Sequence, residues 1–294
     1  MRVLVAGATG VIGRRLVPLL TAVGHEVVGL SRTPDPRVPG VVADALDRDA
    51  TIRAVCEVAP DAVVHLLTAI PKTINPRKLS SDFALTNRLR TEGTRNLIDA
   101  APGARFIAQG LAYAYDPAEG LADEDAPLWR DPPAQYAPVV RALTDLERQT
   151  AEAGGLVLRF GHLTGPGSVY ADDGSTTQAV RAGKMPIVGD GGSVLSFTDS
   201  HDAATAIVAA LDRDVTGALN VVDDTPIRFR DWLPAYAAKL GAPEPKRVPA
   251  WLARLAVGSF GVAYLTRLRG ADNSRARLCL NWRPRRAAML EETA

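Results

Sequence analysis

The chain opens "MRVLVAGATGVIGRRLVPLL", a short apolar run that meets three glycines, Gly7, Gly10 and Gly13, at the start of a helical pattern. That order constrains the fold more than any other feature. A strand must end at Gly7 and a helix begin near Gly13, with a turn between them tight enough to require residues without a Cβ. Backbone N–H groups and the helix N-terminus then face an approaching pyrophosphate. Ile12, Leu16, Leu19, Leu20 and Val23 recur at helical spacing, Pro18 predicts a local bend, and "EVVGL" follows as a second strand. A glycine triplet alone is weak, but strand, turn, helix and strand within about thirty residues make a phosphate-binding motif.

The alternation continues. Strands are expected at "DAVVHLL", "ARFIAQG", "LVLRFG" and "ALNVVD", with helices such as "TEGTRNLIDAA" and "VVRALTDLERQTAEAGG" between them, the latter closed by Gly154 and Gly155. Right-handed crossovers place these strands in one α/β, Rossmann-type, doubly wound parallel sheet. From about Gly165 the texture shifts to loops such as "GPGSVYADDGS" and a proline-rich "GAPEPKRVPAW". The expected division is a dinucleotide-binding domain from residues 1–164 plus 196–224. Residues 165–195 plus 225–294 are expected to form a small C-terminal lobe for the substrate.

At the end of the second strand, "GLSRT" offers Ser31 and Arg32 where an NAD enzyme commonly places a carboxylate for the ribose hydroxyls. A hydroxyl and a guanidinium suit a 2′-phosphate, with Arg14, Arg15 or Arg37 as helpers, so NADP is preferred over NAD. Asp44 and Ala45, after a short third strand, stand where a carboxylate would meet the adenine amino group. With the turn residues Gly7, Thr9, Gly10, Val11, Ile12 and Gly13, and with Leu67 and Thr68 after the fourth strand, these complete the expected cofactor contacts.

Composition excludes other classes. Among 294 residues, 47% are apolar and the net charge is +1, enough for a sizeable core and without the basic patch of a nucleic-acid binder. A small-molecule partner is expected. Cys56 and Cys279 lie far apart, outside any CxxC or Cys/His cluster, so neither a disulfide nor a metal is expected, and both are read as buried or inert thiols. A start directly on a strand suggests a cytoplasmic protein. "LAVGSFGVAYL" is about half the length of a membrane span and reads as a packed helix, though it would also suit a lobe over an apolar substrate. No GxSxG, GxxxxGK[ST] or HExxH pattern is present. Abundant alanine and arginine suggest a bacterial source and a secondary-metabolite substrate.

Taken together, "GATGVIG", "ADALD", "HLLTA", "EGTRNLIDAA", "LRFGHLTGPG", "VGDGGSVLSFTDSHDAATAIVAAL" and "NSRARLCLNWRP" resemble the extended short-chain dehydrogenase/reductases, the NAD(P)-dependent epimerase/dehydratase family. The resemblance spans nearly the whole chain. It implies catalysis in a cleft between domain and lobe, with "HLLTA" along the dinucleotide, "RFGHLTGP" near the nicotinamide, and a homodimer through two long helices. It also implies a Ser/Thr, Tyr, Lys set, in which the serine orients the substrate oxygen, the tyrosine exchanges a proton, and the lysine holds the nicotinamide ribose and lowers the tyrosine pKa. Tyr136 matches the tyrosine. Val140 stands in place of the lysine, and Gly110 and Leu111 in place of the serine.

A tyrosine of ordinary pKa, about 10, is ionised to roughly one part in a thousand at pH 7. Loss of a partner worth three units removes about 4 kcal/mol of readiness to act as a base, and much less if the tyrosine acts as an acid. Arg141 is the nearest cation in sequence, about 100° around the helix from Val140. The apolar stripe of Val140, Leu143 and Leu146 alternatively reads as a buried helix face. Candidates for proton transfer are Tyr136, Tyr113 and His162, with Tyr115 as a further phenol and Thr68 and Thr164 as substitute hydroxyls. Packing roles compete for both Tyr113 and Tyr115, and a positioning role for His162. His65 reads as structural, and His201 with Asp202 as a helix start.

Three functions remain open on the sequence. One is an NADP-dependent oxidoreductase or epimerase with an altered catalytic set. The second is a redox-neutral lyase, isomerase or cyclase on the same scaffold, and the third a non-catalytic dinucleotide-binding protein.

Overall fold

A computed structural model describes residues 1–71, 73–285 and 290. Seven strands, β1 (Arg2–Ala6), β2 (Glu26–Ser31), β3 (Gly40–Val42), β4 (Ala62–His65), β5 (Arg105–Leu111), β6 (Leu156–Phe160) and β7 (Gly217–Val221), form one sheet. Their order is β7-β6-β5-β4-β1-β2-β3, and every neighbouring pair is parallel. The order reverses between β1 and β4, the switch point at which ligands settle in such sheets.

The near-continuous apolar strands follow from burial on both faces. Val3 and Val5 of β1, with Val64 and Leu158, pack toward the helices Gly13–Ala22 and Ser200–Leu211. Leu4 and Ala6, with Val63, Phe106 and Val157, pack toward Arg48–Val58 and Thr94–Ala100. Pro18 lies inside the first helix, and the helix Ser200–Leu211 starts from Asp199, whose carboxylate accepts from His201 N–H at 2.8 Å. His201 and Asp202 thus open a helix, as expected.

A third core is aromatic. Trp232, Tyr236 and Phe229 of the helix Phe229–Lys239 join Phe197, Trp129, Tyr136 and Phe260. The "LAVGSFGVAYL" run belongs to Ala250–Thr266, two helical segments joined at Gly258 (φ 71°); Phe260 and Ala263 are buried, while Trp251 and Leu255 are exposed. The last helix, Ser274–Leu280, returns to the main sheet and packs Ala276 and Leu280 into its core. Both cysteines are exposed free thiols, which corrects the expectation of burial.

One buried network fixes the parts that carry the site. Arg159 of β6 makes two 2.7 Å bonds to Glu147 of the helix Ala137–Glu152 and donates to the Tyr115 hydroxyl at 2.8 Å. That hydroxyl donates to Asn220 of β7 at 2.6 Å. Tyr115 is therefore a packing residue with its hydroxyl satisfied. Replacing Arg159 with Met strands Glu147 and is expected to cost about 3 kcal/mol, read as a lower urea midpoint; an unchanged midpoint refutes this role.

Candidate functional site

The turn after β1 is built as the glycines demand. Gly7 has φ +98°, and a Cβ there would sit 2.9 Å from the Leu66 carbonyl. A Cβ on Gly13 would lie 2.3 Å from the Gly7 carbonyl oxygen. Gly10 N–H donates to that oxygen at 3.0 Å, closing the turn. No side chain caps the helix Gly13–Ala22; Arg14 and Arg15 N–H already donate to the Gly10 and Ile12 carbonyls, so the donors the turn can offer a ligand are the N–H groups of Val11, Ile12 and Gly13. Thr9 and Val11 are half-buried and Gly10 exposed, whereas the Ile12 side chain belongs to the core and only its backbone is available.

Beyond the turn, a cavity of about 290 Å³ is lined by Ala8, Thr9, Gly29, Ser31, Asp35 and Val38, among others. Ser31 Oγ donates to the Thr33 carbonyl at 2.5 Å, and Arg32 is exposed. Arg37 is not free to help: its Nε and Nη2 bind Asp35 at 2.8 and 2.5 Å. That pairing holds the Asp35 carboxyl well below its usual range, with a smaller contribution from Arg14. Asp44 is exposed and spends Oδ1 on Leu46 N–H at 3.0 Å, while Ala45 is buried and its carbonyl accepts from Asn96 at 2.8 Å. Leu67 is half-buried and Thr68 exposed, directly after the Leu66 backbone that closes on Gly7.

At the other end lies a buried aromatic cluster. Tyr136, at the start of the helix Ala137–Glu152, is only 4% exposed, stacks on Phe260 at 4.7 Å and meets the edge of Trp129 at 5.9 Å. Its hydroxyl has no hydrogen-bond partner. Tyr113 stacks on His162 at 4.3 Å, and Tyr170 and Tyr264 meet the same imidazole edge-on at 6.4 and 5.7 Å. The structure thus brings Tyr136, Tyr113 and His162 into one aromatic cluster.

Burial decides their protonation. His162 Nδ1 donates to the Ser196 carbonyl at 3.2 Å, leaving Nε2 as a bare acceptor without a partner. Desolvation pushes this imidazole down to about 4, so it is neutral at pH 7. His65 is likewise pushed to about 4 and accepts Leu67 N–H on Nδ1 at 3.3 Å, the structural role expected of it. Desolvation drives the Tyr136 phenol far above its ordinary value, further raised by Tyr113 and opposed by Arg90. Tyr113 is raised for the same reason and again opposed by Arg90.

The departures from the expected catalytic set have steric causes. Val140 is buried among Tyr136, Val139 and Leu143, an apolar helix face. Arg141 is exposed, and the cation acting on Tyr136 is Arg90 instead. A Cβ on Gly110 would lie 2.7 Å from Val157 Cγ1, so no serine fits, and Leu111 is core. Thr164 is half-buried.

Arg90 was missed by the sequence reading. It lies in a π-helical turn, Leu89–Gly93, packed against the Tyr136 helix, and is 2% exposed. The signal was present: Thr86, Leu89, Gly93, Thr94, Leu97 and Ala100 form the buried stripe of this segment, and Arg90 is the charged residue on it.

A sequence profile of the NAD dependent epimerase/dehydratase family matches residues 3–222. The chain belongs to this family. Family members act through NAD(P), and the chain is accordingly an NAD(P)-dependent enzyme of the oxidoreductase and epimerase group; the turn, with no room for a Cβ at Gly7 or Gly13, fits that cofactor. A 3-diazoavenalumate denitrifying reductase from Streptomyces is 49% identical, with 97% of this chain and 96% of the relative covered. A 2-alkyl-3-oxoalkanoate reductase from Stenotrophomonas maltophilia is 28% identical over 92% and 86%. Among solved structures, Thermus thermophilus UDP-glucose 4-epimerase with NAD superposes with TM-score 0.75 at 24% identity, covering 98% of this chain and 95% of the other. A human epimerase family protein with NADPH gives 0.71 at 22%, covering 99% and 96%. Among the described residues no His/Cys/Asp/Glu group is arranged to hold a metal ion, and no helix is long and apolar enough to cross a membrane.

The two buried imidazoles of this epimerase-family chain set its acid stability. Unfolded, each takes a proton near pH 6.5; folded, only near 4. Stability present at neutral pH is therefore lost as pH falls from 6.5 toward 4, by about 3 kcal/mol per histidine. Asp223, raised to about 6 by burial, works in the opposite direction and recovers part of the loss. A thermal midpoint that falls by several degrees between pH 7 and 4.5 is expected; a flat or rising profile contradicts neutral burial.

Proposed function

We propose that this chain is an NADPH-dependent reductase that removes a diazo group from an aromatic substrate, the reaction class named for its 49% identical Streptomyces relative. The observation that carries the reading is the 49% identity over 97% of this chain and 96% of that relative. Beside it stands the aromatic cluster, in which desolvation raises the phenols and lowers the imidazole, so that the residues serve binding more than proton transfer. Carbonyl reduction requires a proton for the new alkoxide, whereas replacing dinitrogen by hydrogen on carbon does not. When bound, the reduced dinucleotide supplies a hydride, and the carbon that gains it loses dinitrogen together with the C–N bonding pair.

The chain's residues bind, orient and desolvate. Tyr113, Tyr264 and Phe260 offer ring faces to an aromatic substrate and to the positive end of its diazo group. His162, fixed by Ser196, holds Tyr113 in place by stacking. Gly7, Thr9, Gly10, Val11 and Gly13 cradle the pyrophosphate, and Ser31 with Arg32 meets the 2′-phosphate. Asp44, Ala45, Leu67 and Thr68 line the remaining dinucleotide path. Residues 165–195 and 225 onward supply the lobe over the substrate, and the active unit is a homodimer.

Two measurements test this. Fluorescence titration is expected to show NADPH binding at least tenfold tighter than NADH, with Arg32→Ala weakening NADPH alone; equal affinities defeat the 2′-phosphate assignment. With NADPH and 4-carboxybenzenediazonium, dinitrogen release should follow NADPH consumption one to one. Tyr136→Phe should keep kcat within about threefold, since a general acid contributes 10²–10⁴-fold. A drop of a hundredfold returns Tyr136 to proton transfer and overturns the proton-free reading.

A further inference from the structure

A buried charge without a counter-ion is costly, and proteins hold one only where something else requires it. Arg90 is such a charge. It is 2% exposed, its Nη1 has no hydrogen-bond partner, and no salt bridge reaches it among the described residues. The groups that feel it are Tyr113, Tyr136 and, to a smaller degree, His65, and the Tyr136 hydroxyl is itself buried without a partner. Around them the walls are rings: Phe260 on Tyr136, His162 on Tyr113, and Tyr264 beside Phe260. A π-helical turn is an uncommon way to present a side chain and is frequent at functional sites, and here it holds Arg90 against the Tyr136 helix.

We propose that Arg90 and the Tyr136 hydroxyl together receive a negatively charged oxygen of the substrate, so that the cluster selects an aromatic anion. The inference deepens the reductase reading and rests on it for the identity of the cluster. The dinucleotide's own negative charge is carried by phosphates, for which the Gly7–Gly13 turn already provides N–H donors. That leaves the buried guanidinium for the other ligand. An oxygen accepting from both Nη1 and the phenol satisfies two orphaned donors at once, and the rings enclose the aromatic body.

The test uses calorimetry on the full chain with NADPH present, with trans-cinnamate as the anionic probe and cinnamamide as its neutral counterpart. The wild type should bind cinnamate at least tenfold tighter than the amide. Arg90→Met should erase that preference, and Arg90→Lys should retain most of it. A second readout separates binding from scaffolding: removing an unpaired buried charge should leave the thermal midpoint of the free protein unchanged or raise it, whereas a structural arginine would lower it. If Arg90→Met does not fold, Tyr136→Phe should weaken cinnamate several-fold and spare the amide. No preference in the wild type, an unchanged preference in Arg90→Met, or equal effects of Tyr136→Phe on both probes overturns the proposal. If NADPH itself fails to bind the wild type, the reductase reading falls, and the cinnamate and cinnamamide contrast on the free protein still decides the role of Arg90.

Discussion

The approach of Gly13 to the carbonyl of Gly7 is the contact on which the carboxyl edge of the sheet depends. With only 2.3 Å between a would-be Cβ and that oxygen, no side chain is tolerated, and the helix starts without a side-chain cap directly after the turn. Parallel pairing then does the rest. Because Ala6 pairs with His65, His65 with Ala108, and Gly110 with Arg159, the ends of β1, β4, β5 and β6 fall on one edge. The phosphate turn, the Leu66 backbone, Tyr113 and His162 all follow those strand ends, so a single register aligns a polar, solvent-facing cradle with a buried aromatic cluster.

The two ends of this edge obey different electrostatics. At the cradle, charges such as Arg37 and Asp35 are solvated, and such pairs contribute little to stability. In the aromatic cluster Arg90 is buried, and a buried charge is less screened. Burial pushes the Tyr136 phenol up and both imidazoles down. Only Arg90 opposes that trend for Tyr113 and Tyr136. The cluster therefore holds one buried cation, Arg90, among phenols that burial raises and an imidazole that burial lowers.

The fold was legible because its signals are local. The apolar strands, the glycine spacing and the helical periodicities each lie within a few residues, and all six strands expected from "RVLVAG" to "ALNVVD" are present. The turn was legible for the same reason. What was not legible depends on contacts between distant segments. Arg37 looked like a phosphate helper until the loop folded it onto Asp35. Cys56 and Cys279, far apart and outside any cluster, read as buried or inert thiols, yet they fall on the outward sides of their helices. Arg141 drew attention by proximity in sequence, while Arg90, about fifty residues earlier, reaches the same tyrosine from a facing helix. A charged residue on a buried stripe is the sequence pattern that marks such a site.

The departures from the usual Ser, Tyr, Lys set also constrain one another. A serine at position 110 would collide with Val157, a buried β-branched residue of the central sheet with little freedom to yield. A lysine at position 140, one helical turn from Tyr136, would place a second cation in a desolvated space where Arg90 already lacks a counter-ion. Neither residue can be restored singly without cost, because the surroundings have adjusted to their absence. A site that had merely decayed would show voids and stranded polar groups at those two positions. Here Gly110 is tightly enclosed and Val140 is packed in the aromatic core, while Arg90 Nη1 and the Tyr136 hydroxyl are among the buried polar groups without a partner.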